Sequence, residues 1–162
     1  MSKIAPCLWF DGKAEEAAKF YVSLLPDSRI NKVMRSPADN PSTPIGAVLT
    51  VDFTLAGQQF IGLNGGPQFP FTEAISFTID CEDQNEVDRL WAALASDGGS
   101  PVQCGWIKDR FGLSWQVVPK ALVEMLNDPD RERAGRVMRA MLQMTKINID
   151  GLRKAYEGGL TT

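Results

Sequence analysis

The spacing of apolar residues at the start of the chain predicts a buried strand followed by an amphipathic helix. Residues 3–10 form a short apolar run, which is typical of a buried strand, and Asp11-Gly12 ends it. The next apolar residues recur at the spacing of one helix face until Pro26 stops the pattern. This helical stripe consists of Ala14, Ala17, Ala18, Tyr21, Leu24 and Leu25.

Three strands are predicted after this helix. The chain alternates between apolar and polar residues over 29–35, 45–55 and 58–64, as half-buried strands do. A turn at residues 56–57, Ala-Gly, joins the last two strands as a hairpin. The first part of the chain therefore has the order strand, helix and three strands.

A second set of elements follows in a similar order. Residues 75–81 read as a strand, and Asp83 with Glu86 resembles the capping box that begins a helix. Residues 102–106 and 113–118 predict further strands around a charged turn. The helical stripe between these strands consists of Val87, Leu90, Trp91 and Leu94.

The similar order of elements predicts an α+β fold of two modules, each a strand, a helix and further strands, that form a curved mixed sheet. We place the modules at residues 1–72 and 73–119, with a helical extension at 120–162, all within one structural domain. Helices covering one sheet face leave the other face free to form a cup. A cup of this kind is a common place for a small-molecule ligand.

The end of the chain is predicted to be helical. Asp128-Pro129 is typical of a helix start, with Asp as N-cap and Pro at the first helical position. Residues 150–156 predict one more helix, which ends before Gly158-Gly159. The stripe between them consists of Ala134, Val137, Met138, Met141, Leu142 and Thr145. Such a methionine-rich stripe is typical of a core or an oligomer interface, and we expect a homodimer.

The charge balance limits the classes of partner. The chain has 17 Lys and Arg against 20 Asp and Glu, a net charge of −3, so it lacks the basic footprint of a nucleic-acid or anionic-membrane binder. No apolar run approaches the length of a membrane span, which is about 18 residues. The first residues lack the apolar core of a signal peptide. We therefore expect a cytoplasmic location.

The numbers of histidines and cysteines limit the kinds of catalysis, disulfide and metal site that the chain can have. The chain has no histidine, which excludes Ser-His-Asp and Cys-His catalysis and every histidine-containing metal site. Its 3 cysteines have no CxxC spacing, so neither a disulfide framework nor a structural zinc site is expected. Cys7 and Cys81 are interpreted as core residues. Cys104 is either a small apolar strand residue or, beside Lys108 and Arg110, a reactive thiol.

The charged turn at residues 108–112 has two interpretations. The first is a solvated turn with local ion pairs, which contribute little to stability. The second places Lys108 or Asp109 over the mouth of the cup. In the strand that follows, alternation directs Trp115 towards the helices and Gln116 towards the cup.

Three separated segments resemble one known family. They are residues 4–21 (IAPCLWFDGKAEEAAKFY), 104–119 (CGWIKDRFGLSWQVVP) and 137–152 (VMRAMLQMTKINIDGL). They resemble the PhnB-like branch of the vicinal oxygen chelate superfamily, which includes glyoxalase I, extradiol dioxygenases and bleomycin-resistance proteins. This branch often carries the name 3-demethylubiquinone-9 3-methyltransferase domain. The resemblance implies paired βαβββ modules and a homodimer.

The resemblance also implies where a metal would be held. In glyoxalase-type members, His, Gln or Glu side chains from four strands bind the metal. The corresponding positions here are Ile4 or Pro6, Gly62 or Asn64, Ala74 or Ser76, and Gln116. None is His, Asp or Glu, so we expect no metal and no cofactor. A methyltransferase would need a glycine-rich turn leading into a helix, and the nearest candidate, residues 62–67, leads into Phe-Pro-Phe.

Four residues are the candidate ligand-binding set: Asn64, Ser76, Trp106 and Gln116. Neutral donors and acceptors in an apolar cup suit a small polar or aromatic ligand, but they do not transfer protons near neutral pH. The predicted function is metal-independent binding of a small molecule, as in the glyoxalase/bleomycin-resistance type. One alternative is a superfamily enzyme, a lyase, dioxygenase or methyltransferase, with an atypical site. The other is a structural or regulatory homodimer without a ligand.

Overall fold

The computed structural model describes residues 2–158, and the chain divides into two compact units at residues 1–71 and 72–162. Each unit contains its own four-stranded mixed sheet. In both sheets the first strand of the unit pairs in parallel with the last, and the other pairs are antiparallel. The predicted pair of βαβββ modules is confirmed by this repeated topology.

The first unit follows the predicted order of elements. Its sheet has the strand order β1-β4-β3-β2. The elements are β1 (Cys7–Phe10), α1 (Ala14–Val22), β2 (Arg29–Arg35), β3 (Val48–Leu55) and β4 (Gln58–Asn64). Helix α1 ends at Val22, three residues before the predicted end, because Ser23 and Leu24 turn the chain by bonding to Phe20 and Tyr21 carbonyls.

One face of the first sheet packs under α1 and forms the core of that unit. Tyr21 and Phe53 are both fully buried there, and their rings lie 6.2 Å apart. Gly62 allows the helix to approach the sheet, because a Cβ at this position would lie 3.3 Å from the Ala14 Cβ. The close approach fixes which residues of β4 lie under the helix.

The second unit repeats this plan with shorter strands in the order β5-β8-β7-β6. Its elements are β5 (Ser76–Cys81), α2 (Gln84–Ala95), β6 (Ser100–Pro101), β7 (Trp106–Lys108) and β8 (Ser114–Pro119). The predicted cap is confirmed, since the Asp83 carboxylate accepts the Glu86 backbone N–H at 2.9 Å. The single strand predicted at 102–106 is wrong, because a turn there separates β6 from β7.

Three helices follow β8 and complete the second unit. They are α3 (Lys120–Leu126), α4 (Arg131–Met141) and α5 (Ile149–Tyr156), which we call the C-terminal extension. Their shared core consists of Leu122, Val137, Ile147 and Leu152. Helix α3 was not among the predicted elements. Helix α5 ends at Tyr156, before Gly158, as predicted, and Gly159 lies outside the described residues.

The start of α4 differs from the prediction. Asp130 is the N-cap, accepting backbone N–H groups of Glu132 at 3.1 Å and Arg133 at 3.3 Å. Asp128, the predicted cap, instead accepts the Tyr156 hydroxyl at 2.5 Å. The predicted Asp128-Pro129 start is therefore wrong by two residues, because a contact with α5 occupies the Asp128 carboxylate.

Backbone hydrogen bonds attach the C-terminal extension to the second sheet. The N–H groups of Cys104 and Gly105 donate to the carbonyls of Met144 and Thr145, each at 2.8 Å. On the helix side, the Gln84 amide donates to the Ile147 carbonyl at 3.0 Å and accepts the Ile149 N–H at 2.8 Å. The extension is thus built into the second unit. Within residues 2–158, no helix combines the length and apolar character required to cross a membrane.

Candidate functional site

The second sheet has one apolar face and one largely polar face. The apolar side chains lie under α2, and they are Phe77, Ile79, Cys81, Ile107, Trp115 and Val117. Alternation along the strands directs the other set to the opposite side. We call this the polar face, and it consists of Ser76, Thr78, Asp80, Trp106, Lys108, Ser114, Gln116 and Val118.

The structure brings three of the four predicted site residues together on the polar face. The Gln116 side-chain amide donates to the Ser76 hydroxyl oxygen at 3.0 Å. Gln116 is also the cross-strand partner of Trp106 on one side and of Thr78 on the other. Ser76, Gln116 and Trp106 therefore form one continuous group across three neighbouring strands.

The Ser76–Gln116 pair leaves hydrogen-bond donors and an acceptor available to a ligand. With the amide nitrogen donating to Ser76, the Gln116 carbonyl oxygen has no hydrogen-bond partner among residues 2–158. The Ser76 hydroxyl accepts this bond and keeps its own proton to donate elsewhere. Both groups are neutral, so the pair suits recognition of a polar group rather than proton transfer.

A small cavity of about 280 Å³ lies beside this group. Its sheet side is Thr78, Asp80 and Val118, and α3 contributes Val123 and Glu124 among others. Because Thr78 is next to Gln116, the cavity adjoins the row of neutral polar groups, and its own lining adds the charged side chains of Asp80, Lys120 and Glu124. The first helix of the C-terminal extension therefore forms one wall of the candidate site.

Charged residues at the two ends of the polar face are held in ion pairs. Lys108 pairs with Glu73, and its hydrogen bond lowers the pKa of the Glu73 carboxyl. Lys120 of the cavity wall pairs with Glu82 at 2.6 Å, and the hydrogen bond from Lys120 to Glu82 raises the pKa of the lysine. The centre of the site, between these pairs, is neutral.

Two further polar residues of this face were missed by the sequence reasoning. Thr78 is exposed and lies directly opposite Gln116. Ser114 lies between Ser76 and Lys108 in the strand register and is only 1% exposed. Its hydroxyl has no hydrogen-bond partner among the described residues. Strand alternation in step with Gln116 was the signal that would have found both.

Asn64, the fourth predicted site residue, does not lie on the face opposite α1. Its side chain is 5% exposed, its amide oxygen accepts the Ala14 backbone N–H at 2.9 Å, and its amide nitrogen donates to the Val48 carbonyl at 3.0 Å. Lys13, at the N-cap position of α1, provides no side-chain cap. The placement of Asn64 in the cup is therefore wrong: this residue caps α1 from the neighbouring strand.

The charged turn before β8 is organised by a buried carboxylate, while Lys108 and Arg110 beside it form partly exposed ion pairs with Glu73 and Asp97. Asp109 is 3% exposed, and one of its oxygens accepts the backbone N–H groups of Phe111 at 2.8 Å and Leu113 at 3.1 Å. The other oxygen accepts the Trp115 indole N–H at 2.9 Å. The interpretation of Asp109 as a solvated residue is wrong, and its bonds direct Trp115 towards the helix side, as predicted.

The cysteines differ in environment. Cys81 is fully buried, and burial together with Glu86 and Asp80 raises the pKa of its thiol to about 12. Cys7 is exposed, so its assignment to the core is wrong; it alternates with the buried Leu8 on β1. Cys104 lies in a turn with a φ of 58°. The thiolate needed for nucleophilic chemistry is therefore strongly disfavoured at Cys81.

Comparison with known proteins gives the family. A model of the family described as 3-demethylubiquinone-9 3-methyltransferase matches residues 2–118. The chain belongs to this family. No curated protein matches the sequence.

Solved structures similar to the chain match about three quarters of it and almost the whole of their own length. A PhnB protein from Bacillus cereus, named after 3-demethylubiquinone-9 3-methyltransferase, is 35% identical, with 73% of this chain and 99% of that one covered and a TM-score of 0.66. A protein from Pseudomonas aeruginosa is 22% identical over 74% and 98% of the two chains, with a TM-score of 0.54. A glyoxalase/bleomycin resistance protein from Albidiferax ferrireducens is 15% identical over 74% and 99%, with a TM-score of 0.48.

The predicted membership of the PhnB-like branch is confirmed by the family model and by the Bacillus cereus PhnB protein. The family model ends at residue 118, immediately before α3, so the whole C-terminal extension lies beyond it. The resemblance of residues 137–152 to the family is therefore not part of the match. The extension adds a wall to the candidate site that the family model does not describe.

The residues present do not fit the metal of the vicinal oxygen chelate enzymes. Four of the positions have no metal-binding side chain: Ile4, Pro6, Gly62 and Ala74. The Asn64 amide already bonds to the Ala14 N–H and the Val48 carbonyl. The remaining positions are Ser76 and Gln116, whose side chains are neutral. No group of three His, Cys, Asp or Glu side chains able to hold a metal occurs within residues 2–158. Neutral oxygens alone are poor ligands for transition metals.

The residues also do not fit the methyl-donor cofactor that the family name implies. A nucleotide cofactor is held where a strand turns through glycines into a helix. The Gly-rich end of β4 runs into an irregular connector, and the next helix, α2, begins only after β5. The end of β4 therefore lacks the strand, glycine turn and helix that would hold a nucleoside cofactor.

Proposed function

We propose that the protein binds a small molecule on the polar face of the second sheet without using a metal. The observation that carries this proposal is the Ser76–Gln116 pair, which presents a free donor and acceptor beside Trp106. The adjoining cavity of about 280 Å³ gives a ligand room to enter between the sheet and α3.

The chemistry of the face favours binding over catalysis. At its centre the polar side chains are hydroxyls and an amide, none of which titrates near neutral pH. Lys108 and Glu73 neutralise each other in an ion pair at one end of the face, and the carboxylates of Asp80 and Glu124 lie in the cavity lining at the other end. A ligand with a neutral hydrogen-bonding group for Ser76 and Gln116, and an aromatic or apolar part for Trp106, matches these features.

A thermal-shift screen of small polar and aromatic compounds tests the proposal, because a ligand that binds only the folded state raises its melting temperature. Stabilising compounds are then titrated against two variants. Gln116→Ala removes the central amide, whereas Gln58→Ala removes an exposed amide that bonds only to its neighbouring carbonyl. We expect the shifts at a fixed compound concentration to be clearly smaller in Gln116→Ala and unchanged in Gln58→Ala. Equal shifts in both variants would contradict the proposed site.

Elemental analysis of protein incubated with Mn²⁺, Ni²⁺, Zn²⁺ and Fe²⁺ separates this function from a superfamily enzyme with an atypical metal site. We expect no stoichiometric metal, because neutral ligands cannot match carboxylate or imidazole. One tightly bound metal per chain would favour the enzyme instead. The homodimer and the cytoplasmic location stay predictions.

A further inference from the structure

The C-terminal extension contains a groove of about 710 Å³ that is separate from the polar face. It runs between α4 and α5, and its lining includes Ala140, Gly151 and Ala155. These small side chains keep the space between the two helices open. A Cβ at Gly151 would lie only 2.9 Å from the Met144 Cε, so the glycine lets the chain before α5 pack closely there.

The groove has basic and apolar residues in its lining. Arg136 and Arg139 line it from the second half of α4, and Leu142, which is 48% exposed, lines it just beyond the end of that helix. Arg136 is already used: its guanidinium donates to the carbonyls of Ala155 at 2.9 Å and Tyr156 at 2.8 Å, which caps the end of α5. Arg139 has no hydrogen bond or ion pair with any of residues 2–158.

Helix α4 is strongly basic in a chain whose net charge is −3. It carries arginine at 131, 133, 136 and 139. Arg133 pairs with Asp130 and Arg136 with Glu132, and the lining of the groove contains Arg136 and Arg139 without an acidic residue. A second copy of this surface would therefore bring arginine against arginine, whereas an anion is attracted to it.

We propose that the groove binds a small amphiphilic anion. Its carboxylate, sulfonate or similar group pairs with Arg139, and its apolar body lies over Ala140 and Ala155 towards Leu142. A free guanidinium forms charge-assisted hydrogen bonds with such a group. The volume of about 710 Å³ lies within the range of small-molecule sites, about 300–1,000 Å³.

Two fluorescent probes of the same apolar type test the proposal on the full-length protein. 1-Anilinonaphthalene-8-sulfonate is an aromatic anion, and N-phenyl-1-naphthylamine has the same rings without the sulfonate. We expect saturable binding of the anion and binding of the neutral probe about tenfold weaker, because only the anion pairs with Arg139. Equal affinity for the two probes, or no saturable binding of the anion, would overturn the proposal.

Variants locate the binding. Arg139→Gln should weaken binding of the anionic probe about tenfold and leave the neutral probe unchanged. Arg153→Gln is the matched control. It removes the same charge from an exposed arginine of α5 that lines a different cavity. Leu142→Glu should abolish binding of the anion by placing a carboxylate at the apolar end. If Arg139→Gln and Arg153→Gln behave alike, the groove is not the site.

A second copy of the chain is the competing occupant, and sedimentation at low and high protein concentration tests it. We expect Leu142→Glu to leave the oligomeric state unchanged. Self-association that Leu142→Glu abolishes would overturn the proposal, because the groove would then be covered by another protomer.

Discussion

At the scale of single residues, the direction of each polar side chain decides whether it can act on a ligand. Asn64 and Gln116 both lie on the last strand of a module, and the sequence predicts both as site residues. Asn64 lies in step with Phe60 and Gly62 under α1, whereas Gln116 lies out of step with Trp115 and Val117. Gly62 was the sequence signal for this difference, because a glycine in a strand often marks the close approach of a helix.

Replacing Asn64 by alanine should destabilise the fold and leave ligand binding unchanged. The variant leaves the Ala14 N–H and the Val48 carbonyl without their side-chain partner, at a cost of about 1–3 kcal/mol. Urea unfolding measures this cost, and Asn127→Ala, an exposed asparagine with one local bond, serves as control. Full stability of Asn64→Ala with loss of ligand binding would return Asn64 to the site.

The thiols should react in the order of their exposure. Cys7 is exposed and should be modified by Ellman's reagent in the native protein, whereas buried Cys81, whose pKa is about 12, should react only after unfolding. Cys7→Ser should remove the fast-reacting thiol. A fast reaction of Cys81 in the native state would mean that β5 opens readily.

At the scale of elements, the turns and helix starts depend on contacts that periodicity does not contain. The strands and helices of both modules follow from alternation and helical spacing, which are local signals. The start of α4 moved from Asp128 to Asp130 because Tyr156, 28 residues away, binds the Asp128 carboxylate. Asp109 likewise has a structural role, because its carboxylate accepts the Trp115 indole N–H. Such choices between adjacent polar residues require the tertiary fold.

Removing the Asp109 carboxylate should loosen the β7–β8 turn. Asp109→Ala leaves two backbone N–H groups and the Trp115 indole without their acceptor, and we expect a loss of about 2–4 kcal/mol in the free energy of unfolding. Asp109→Asn should cost less, because its oxygen can still accept from the backbone. Thermal or urea unfolding measures both, with exposed Asp11→Ala as control.

A stable Asp109→Ala protein would show that the turn does not need this carboxylate. If that variant kept its stability but lost ligand binding, Asp109 would belong to the mouth of the site.

At the scale of the whole molecule, the two modules and the C-terminal extension differ in how far the sequence predicts them. The two-module plan and the family could be predicted from sequence, because alternation, turn residues and motifs repeat in both halves. The attachment of the extension could not, since it uses backbone groups of Cys104 and Gly105 with carbonyls of Met144 and Thr145. Backbone bonds between distant segments leave no side-chain pattern in the sequence.

Acid should weaken the attachment of the extension to α2. Lys146 bonds to Asp88 at 2.8 Å, and this bond, helped by Gln84, lowers the pKa of the Asp88 carboxyl. A lowered pKa stabilises the fold above the ordinary aspartate value of about 3.9, and this contribution is lost as the pH falls through the folded-state pKa. Both side chains are partly exposed, so the effect is at most about 1 kcal/mol.

Asp88→Asn should therefore lower the melting temperature slightly at pH 7 and match the wild type once Asp88 itself is protonated. Melting curves across this pH range measure the difference, with Asp11→Asn as control. A difference that persists in acid would show that the ion pair is not its cause.

Calorimetry of the most stabilising compound from the screen, in buffer containing a metal chelator, tests binding at the polar face most directly. We predict one ligand per chain for the wild type in the presence of the chelator. Gln116→Ala should bind about tenfold more weakly, since it loses the hydrogen-bonding group at the centre of the face. Loss of wild-type binding on chelation, or unchanged affinity in Gln116→Ala, would contradict metal-independent binding at this site.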